Sequence, residues 1–180
     1  MRPSRRRSGG TGGRWKGSPR TPGGASEFVG FPSAFMPAVS MLRLMAPAQI
    51  PSDMIDLLEG DALGHLATIR ADGSPHVTPL WIDHDGDTIL VDVRVDRVKA
   101  ANMRERPTVA LSIVDPRNPY RHLDITGRVV SWSEDGWREH MNALARRYMK
   151  ADGYPWFFEG ERRQIFRIEP TGVHYEKGDE

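Results

Sequence analysis

The sequence predicts a mainly β fold, in which six or so short antiparallel strands form a closed or nearly closed barrel with three helices between them. Two turn signals support this prediction. Asp72-Gly73 and Asp85-Gly86 each separate short apolar runs, and Asp-Gly between such runs favours a tight hairpin. Gly127 inside a later apolar run is typical of a bulge or a barrel corner. Closing the sheet also removes exposed strand edges.

The composition limits the chemistry that the chain can perform. Of its 180 residues 38% are hydrophobic, which suits one domain with a real core. It contains no cysteine, which excludes disulfides, thiolate nucleophiles and cysteine-ligated metal sites. No apolar run approaches the roughly 18 residues that span a bilayer, and nothing indicates export. We therefore expect a cytoplasmic protein that does not contact a membrane.

Residues 1–45 differ from the rest of the chain. They are rich in Gly, Pro, Ser and Arg without apolar periodicity, so we expect disorder. Residues 1–40 carry seven Lys or Arg and one acid, hence +6, and the net charge of +1 leaves −5 for the remainder. The segment is a basic arm, a targeting segment, or an extension of a reading frame that starts at Met41 or Met45, and we favour the last. Residues 46–180 form the expected domain, whose acidity argues against nucleic-acid binding.

The first helix and the first strands follow from residues 51–102. Ser52 is the expected N-cap of a short apolar helix that runs up to Gly60. Three apolar runs separated by the two turns then predict an antiparallel three-strand meander. Pro79 lies in the middle strand, residues 75–83. Because proline lacks a ladder donor, we expect it at an edge or a bulge, where open backbone can meet a ligand.

A basic pair stands where the third strand runs into the next helix. This helix is predicted over Lys99–Arg106, and Pro107 ends it. Free backbone N–H groups together with Arg97 and Lys99 at a helix start make a good phosphate site. We therefore predict a phosphorylated cofactor there. The alternative is that both side chains are solvated surface charges.

The second half of the chain predicts four strands, at residues 108–114, 122–132, 164–169 and 172–177. Two prolines within residues 115–121 predict a turn between the first two. A helix follows Ser133, its expected N-cap, and ends at Asp152-Gly153. One helical face is interpreted as core: Trp137, Met141, Leu144 and Tyr148. Four aromatics in Tyr154–Phe158 either line the pocket of a flat substrate or cover the open end of the barrel.

No catalytic side chain and no metal site are predicted. The six histidines are scattered, and none pair at the i, i+4 spacing of a helical metal site. His76 is interpreted as a strand residue that faces solvent or an interface. The chain also lacks a nucleophile elbow and a phosphate-cradling P-loop.

Four segments in this order resemble one superfamily: LATIRADGSPHVTPLW, DGDTILVDV, DRVKAANMRERPTVALSIVD and NPYRHLDITGRV. They are similar to the split β-barrel, FMN-binding-protein-like superfamily that includes pyridoxamine 5′-phosphate oxidase. Within it the chain most resembles the actinobacterial branch that uses the deazaflavin coenzyme F-420. The resemblance covers roughly residues 50–177. It implies a homodimer of split barrels with cofactor sites at the interface.

The resemblance also implies a set of cofactor-binding residues. Arg97 and Lys99 match the basic pair that holds the cofactor phosphate, and Asn102 matches a supporting residue of the following helix. The remaining matches are Val77, Thr78 and Pro79, on the strand along the cofactor ring, and Asn118, Tyr120 and Arg121, on a loop that can reach the partner's site. Trp156 and Tyr120 are expected to shape the substrate pocket. Asp96 stands where many relatives have a small residue. If it caps the helix the phosphate site stays intact, whereas pointing inward it would repel phosphate.

The implied activity is a hydride transfer between coenzyme F-420 and a small organic acceptor, in which the cofactor carries the hydride. Two alternatives stay open. The first is an oxidase or reductase of the same superfamily that uses FMN. The second is a non-enzymatic carrier of a flavin, deazaflavin or haem-like ligand. The sequence does not identify the acceptor.

Overall fold

The computed structural model describes residues 47–178 of the chain, and the predicted tail, residues 1–45, lies outside them. The strands are β1 Gly64–Ile69, β2 Pro75–Leu80, β3 Asp83–Asp85, β4 Thr88–Arg94, β5 Thr108–Asp115, β6 Asn118–Ser133 and β7 Arg163–Lys177. The helices are α1 Asp56–Glu59, which follows a 3-10 turn at Ser52–Met54, α2 Val98–Glu105 and α3 Trp137–Met149. The mainly β class is therefore confirmed.

The strands form one antiparallel sheet in the order β2-β1-β5-β6-β7-β4-β3. Strands β2 and β3 are its two edges, so the sheet is not closed. The predicted meander is wrong, because β2 pairs with β1 and β3 pairs with β4, at opposite edges of the sheet. The prediction for Pro79 is confirmed, since β2 is an edge strand that can lack a ladder donor.

The crossing from β2 to β3 is fixed by Trp81 and Ile82. Ile82 is fully buried, and a side chain at Gly64 would lie 2.6 Å from Ile82 Cγ2, so only glycine fits there. Tyr148 stacks on Trp81 at 5.3 Å between ring centroids, and its hydroxyl accepts the Ile82 N–H at 3.1 Å. These contacts hold the chain away from the free edge of β2, and the next strand pairs with β4 instead.

The long strands β6 and β7 bend together at Gly127. Their register shifts between Thr126 and Gly127, as the glycine predicted. A Cβ at Gly127 would lie 2.7 Å from Ile168 Cγ2. The predicted final strand pair is wrong, because Pro170 pairs with Gly127 at this bulge and β7 continues through it. A bulge tolerates the missing proline donor.

The helices begin and end differently from the prediction. Ser52 is the first residue of the 3-10 turn and does not cap it. Pro51 occupies the N-cap position and makes no side-chain cap hydrogen bond. Ser133 bonds Asp135 instead of capping α3, and Gly136, with φ 73°, flanks that helix. Helix α3 ends at Met149, before the predicted Asp152-Gly153. The 3-10 turn and α1 bury Met54, Leu57 and Leu58 in the core.

The predicted turn over residues 115–121 is shorter than expected. Strand β6 already begins at Asn118, and the Asp115 carboxylate accepts the Arg117 N–H at 2.9 Å to close a tight connection. Tyr120 and Arg121 therefore belong to a strand. No helix among residues 47–178 is long and apolar enough to cross a membrane.

Candidate functional site

A cavity of about 630 Å³ opens between edge strand β2 and the wall formed by β4 and β7. We call it the main cavity. The start of α2, one face of α3 and the aromatic loop at residues 154–158 complete its lining. The lining residues are His76, Thr78, Leu80, Trp81, Asp92, Val93, Arg94, Arg97, Val98, Lys99, Met141, Leu144, Tyr154, Trp156, Phe158, Glu161 and Arg163.

The basic pair lies at one wall of this cavity. Lys99, in the first turn of α2, donates from Nζ to Thr78 Oγ1 at 2.8 Å and so joins the helix to β2. Within residues 47–178 neither Arg97 nor Lys99 forms an ion pair with a carboxylate. Burial lowers the pKa of Lys99, and the charges of Arg97 and Arg163 lower it further. Two unpaired cations beside free helix N–H groups suit an anionic ligand.

Asp96 does not disturb this wall. Its carboxylate accepts from Arg94 Nε at 3.0 Å and from Arg94 Nη2 at 2.5 Å, and no side chain caps α2. The Arg94 guanidinium holds the pKa of Asp96 below its usual value. Of the two alternatives for Asp96, capping does not occur, and its carboxylate pairs with Arg94 instead. Because its charge is offset by Arg94, it leaves Arg97 and Lys99 unneutralised.

The opposite wall holds an arginine between two buried carboxylates. Arg163 donates from Nε to Asp92 Oδ1 at 2.5 Å and from Nη1 to Glu161 Oε1 at 3.0 Å. Its Nη2 also donates to the Asp92 carbonyl at 3.3 Å. Asp92 and Glu161 are 7% and 6% exposed. The guanidinium is thus fixed by the protein itself and not left to move with solvent.

A chain of opposite charges continues from this wall into the protein. His140 lies 3.4 Å from Asp92 Oδ2 through Nδ1 and 3.4 Å from Asp83 Oδ2 through Nε2. Arg147 bonds the other Asp83 oxygen at 2.5 Å. Burial opposes the charged imidazole, but the two carboxylates outweigh it and raise the pKa of His140 to about 9. We call Glu161, Arg163, Asp92, His140, Asp83 and Arg147 the buried ion network.

Aromatic side chains form the mouth of the main cavity. Tyr154 meets Trp81 and Trp156 edge-on, at 6.0 and 5.5 Å between ring centroids. Phe158 lies under the Arg94 guanidinium at 5.2 Å. Trp156 is 61% exposed and Phe158 is 50% exposed. Exposed rings beside a cavity offer a flat surface on which a planar ligand can stack.

The predicted cofactor residues fall into two groups. Thr78, Arg97, Lys99 and the predicted substrate residue Trp156 line the main cavity together. Val77 and Pro79 alternate to the other face of β2, where both are exposed. Asn102 is buried behind the cavity and donates to Thr68 Oγ1 at 3.0 Å, so it joins α2 to β1.

Asn118, Tyr120 and Arg121 lie outside the main cavity of their own chain. Arg121 bonds the Asp56 carboxylate at 2.6 Å and Asp115 at 3.0 Å. Asn118 donates to the Gly178 carbonyl at 3.3 Å, whereas Tyr120 is 77% exposed. None of the three side chains lines the main cavity.

Sequence reasoning missed four of the polar side chains that line the cavity. His76, interpreted as facing solvent or an interface, lines it instead, and its buried Nδ1 has no partner within the described residues. Asp92 and Arg163 were not singled out because they meet across 71 residues of sequence. Glu161 carries a second orphaned atom, since its buried Oε2 likewise has no partner in that part of the chain. Orphaned buried polar atoms suit a site that a polar ligand completes.

Comparisons with solved structures find proteins of similar fold. A solved structure named as an F-420 reductase is 34% identical, covers 69% of this chain and 98% of its own, and has a TM-score of 0.62. A conserved hypothetical protein of Mycobacterium tuberculosis is 20% identical, with 73% and 87% covered and a TM-score of 0.57. The haem storage protein of Vibrio cholerae is 17% identical, with 72% and 96% covered and a TM-score of 0.54. The last two show a shared fold alone.

A search of the curated proteins finds no match. The pyridoxamine 5′-phosphate oxidase family model, in contrast, matches residues 50–177, which span every described helix and strand. The chain therefore belongs to the pyridoxamine 5′-phosphate oxidase family and has its split β-barrel fold.

Proposed function

We propose that this protein is a cytoplasmic oxidoreductase that uses the deazaflavin coenzyme F-420 to transfer a hydride to or from a small organic acceptor. One observation carries the proposal. Arg97 and Lys99, with no carboxylate partner in the described chain, share a cavity with the exposed ring of Trp156. This combination suits a ligand with an anionic group and a planar ring system. The likeness to an F-420 reductase at 34% identity supports the same cofactor.

The residues present fit such a cofactor. Arg97, Lys99 and Thr78 would hold its phosphate by charge-assisted hydrogen bonds, which are the strongest available to a side chain. A bound deazaflavin supplies the hydride chemistry, so the protein needs no nucleophile. Leu80, Val93, Met141 and Leu144 line the cavity with apolar surface, which keeps water from the bound ring. Tyr154 and Trp156 would orient an acceptor against it.

FMN is the second candidate cofactor. The family to which the chain belongs is named for pyridoxamine 5′-phosphate oxidase, and FMN also combines a phosphate with a planar ring. The haem carrier alternative rests on a likeness at 17% identity, which supports the fold and no ligand.

A fluorescence titration of the full chain with F-420 and FMN in parallel tests the proposal. We expect F-420 to bind with micromolar or tighter affinity and FMN to bind more weakly. The reverse preference would assign the protein to the FMN enzymes. If neither cofactor binds, the proposed function is wrong.

We also propose that the protein is a homodimer whose cofactor sites lie at the interface. A second groove runs over β1, β2, β5, β6 and β7, and its lining includes His65, Ala67, Val77, Asp124, Val173 and His174. Val77 is 59% exposed there, and a second copy would cover this apolar surface. In such a dimer Asn118, Tyr120 and Arg121 would contact the partner's cofactor. Sedimentation velocity tests the assembly, and a monomer at micromolar concentration would contradict it.

A further inference from the structure

Glu161 has no role in the phosphate contacts proposed above, yet it is a buried carboxylate in the wall of the main cavity. Its Oε1 accepts from Arg163 Nη1 at 3.0 Å. Its Oε2 is buried and has no hydrogen-bond partner in the part of the chain that the structure describes. A buried carboxylate oxygen without a partner is unfavourable, because it has lost water and gained no donor. A donor on a bound ligand would relieve that cost.

Arg163 fixes the position of this carboxylate. Nε and Nη2 bond the side chain and the backbone of Asp92, so the guanidinium cannot turn away. A guanidinium carries five N–H donors, and the structure engages three of them with Asp92 and Glu161. The wall therefore presents N–H donors of Arg163 beside one free acceptor, Glu161 Oε2.

The pyrimidinedione edge of a flavin or deazaflavin ring has the complementary pattern, a ring N–H between two carbonyl oxygens. We propose that Glu161 binds this edge. Its Oε2 accepts the ring N–H while Arg163 donates to an adjacent carbonyl. Because Glu161 lines the cavity, a ring bound there can approach Oε2 while Oε1 keeps its hydrogen bond to Arg163. This assignment rests on the proposed function, because it takes the bound ring to be a flavin or deazaflavin.

The assignment separates two kinds of recognition within one cavity. Arg97 and Lys99 bind the phosphate as a charge, whereas Glu161 and Arg163 read the hydrogen-bond pattern of the ring edge. A ligand with a phosphate and a ring of another pattern would satisfy the first pair alone. Glu161 is then a residue that determines which ring system the cavity accepts.

The test uses the full chain and the substitution Glu161→Gln. Glutamine keeps an oxygen for Arg163, but it places an NH₂ group where the ring N–H must be accepted. We expect F-420 to bind about tenfold to a hundredfold more weakly, the range for one hydrogen bond to a charged group. The matched control is Glu159→Gln, which removes the same charge from an exposed position outside the cavity and should leave affinity unchanged.

A second arm changes the ligand and compares it on wild type and on Glu161→Gln. An F-420 analogue methylated on the ring N–H cannot donate there, so the wild-type chain should bind it at least about tenfold more weakly than F-420. The Glu161→Gln chain should distinguish the two ligands much less. Equal affinity of wild type and Glu161→Gln for F-420, or of F-420 and the methylated analogue for wild type, would overturn the assignment alone. If the wild type binds neither F-420 nor FMN, the proposed function fails with it.

Discussion

Both walls of the main cavity carry cations, but only one wall pairs them with carboxylates. At the start of α2, Arg97 and Lys99 have no carboxylate partner within residues 47–178. On the β4 and β7 wall, Arg163 lies between Asp92 and Glu161 at 2.5 and 3.0 Å. The first wall keeps positive charge available, whereas the second neutralises it before any ligand arrives.

This difference gives the two walls different proposed roles: the Arg97 and Lys99 wall binds a ligand, and the buried ion network stabilises the fold. Burial lowers the pKa of Lys99, and the charges of Arg97 and Arg163 lower it further. The charged form of Lys99 is therefore destabilised when no anion is bound, and a bound anion would stabilise it. The buried ion network instead alternates sign along its length, which stabilises each charge by its neighbours. Breaking the network should therefore cost stability, and changing Lys99 should cost affinity. The free energy of unfolding tests these two roles in three variants, Asp92→Ala, His140→Gln and Lys99→Met.

The largest effect is expected for Asp92→Ala. It leaves Arg163 and His140 buried without their shared carboxylate, and losing one partner of a buried ion pair typically costs about 3–5 kcal/mol. Urea denaturation followed by circular dichroism measures the loss. The control is Asp96→Ala, which removes the exposed partner of Arg94 and should change little, because exposed ion pairs contribute little. A similar loss in both variants would mean that burial does not set the energetics of this wall.

A smaller effect is expected from raising the pH. The pKa of His140 is about 9 in the folded chain and 6.5 ordinarily. Its charged form therefore stabilises the fold fully below about pH 6.5, and the contribution is lost as pH rises through about 9. The loss should be on the order of 3 kcal/mol. Denaturation of wild type and His140→Gln across this window measures it, and parallel pH profiles of the two chains would contradict the network.

The smallest effect on stability is expected for Lys99→Met. The variant loses the 2.8 Å hydrogen bond to Thr78, worth about 1 kcal/mol, but it also removes repulsion with Arg97 and Arg163. Stability should stay within about 1 kcal/mol of wild type, while F-420 affinity falls by about 1.5–3 kcal/mol for one charged hydrogen bond. Arg162→Ala, which removes an exposed cation outside the cavity, is the control. Unchanged affinity for F-420 in Lys99→Met would remove the phosphate assignment.

Local chemistry made part of the fold predictable from the sequence. Asp72-Gly73 specified a hairpin turn, Pro79 an edge and Gly127 a bulge, because each depends on what its own backbone can do. Arg97 and Lys99 could be predicted to share one wall for the same reason, since a helix start and two cations are adjacent in sequence. Trp156 was predicted from the aromatic segment Tyr154–Phe158, and the cofactor class came from the family resemblance.

Other features of the fold and the site could not be predicted from the sequence, because they depend on contacts between distant residues. After β2 the chain crosses to the opposite edge of the sheet, where β3 pairs with β4. At the start of this crossing Ile82 is held by Tyr148, 66 residues later, and the local sequence at Ile82 does not indicate this contact. The buried ion network joins residues 48 and 71 apart, so His140 looked like one scattered histidine among six. Serine is a common helix cap, but the Ser133 hydroxyl bonds the side chain and the backbone N–H of Asp135, which precedes the helix.

Whether Arg97 and Lys99 bind the cofactor phosphate is tested by a titration of the full chain with F-420 and with the phosphate-free deazaflavin core of that cofactor. If Arg97 and Lys99 hold the phosphate, wild type should prefer F-420 by at least about tenfold, and Arg97→Ala with Lys99→Ala should abolish the preference. Equal affinity of wild type for both ligands would show that the unpaired cations do not bind the phosphate, and the account of this wall would be wrong.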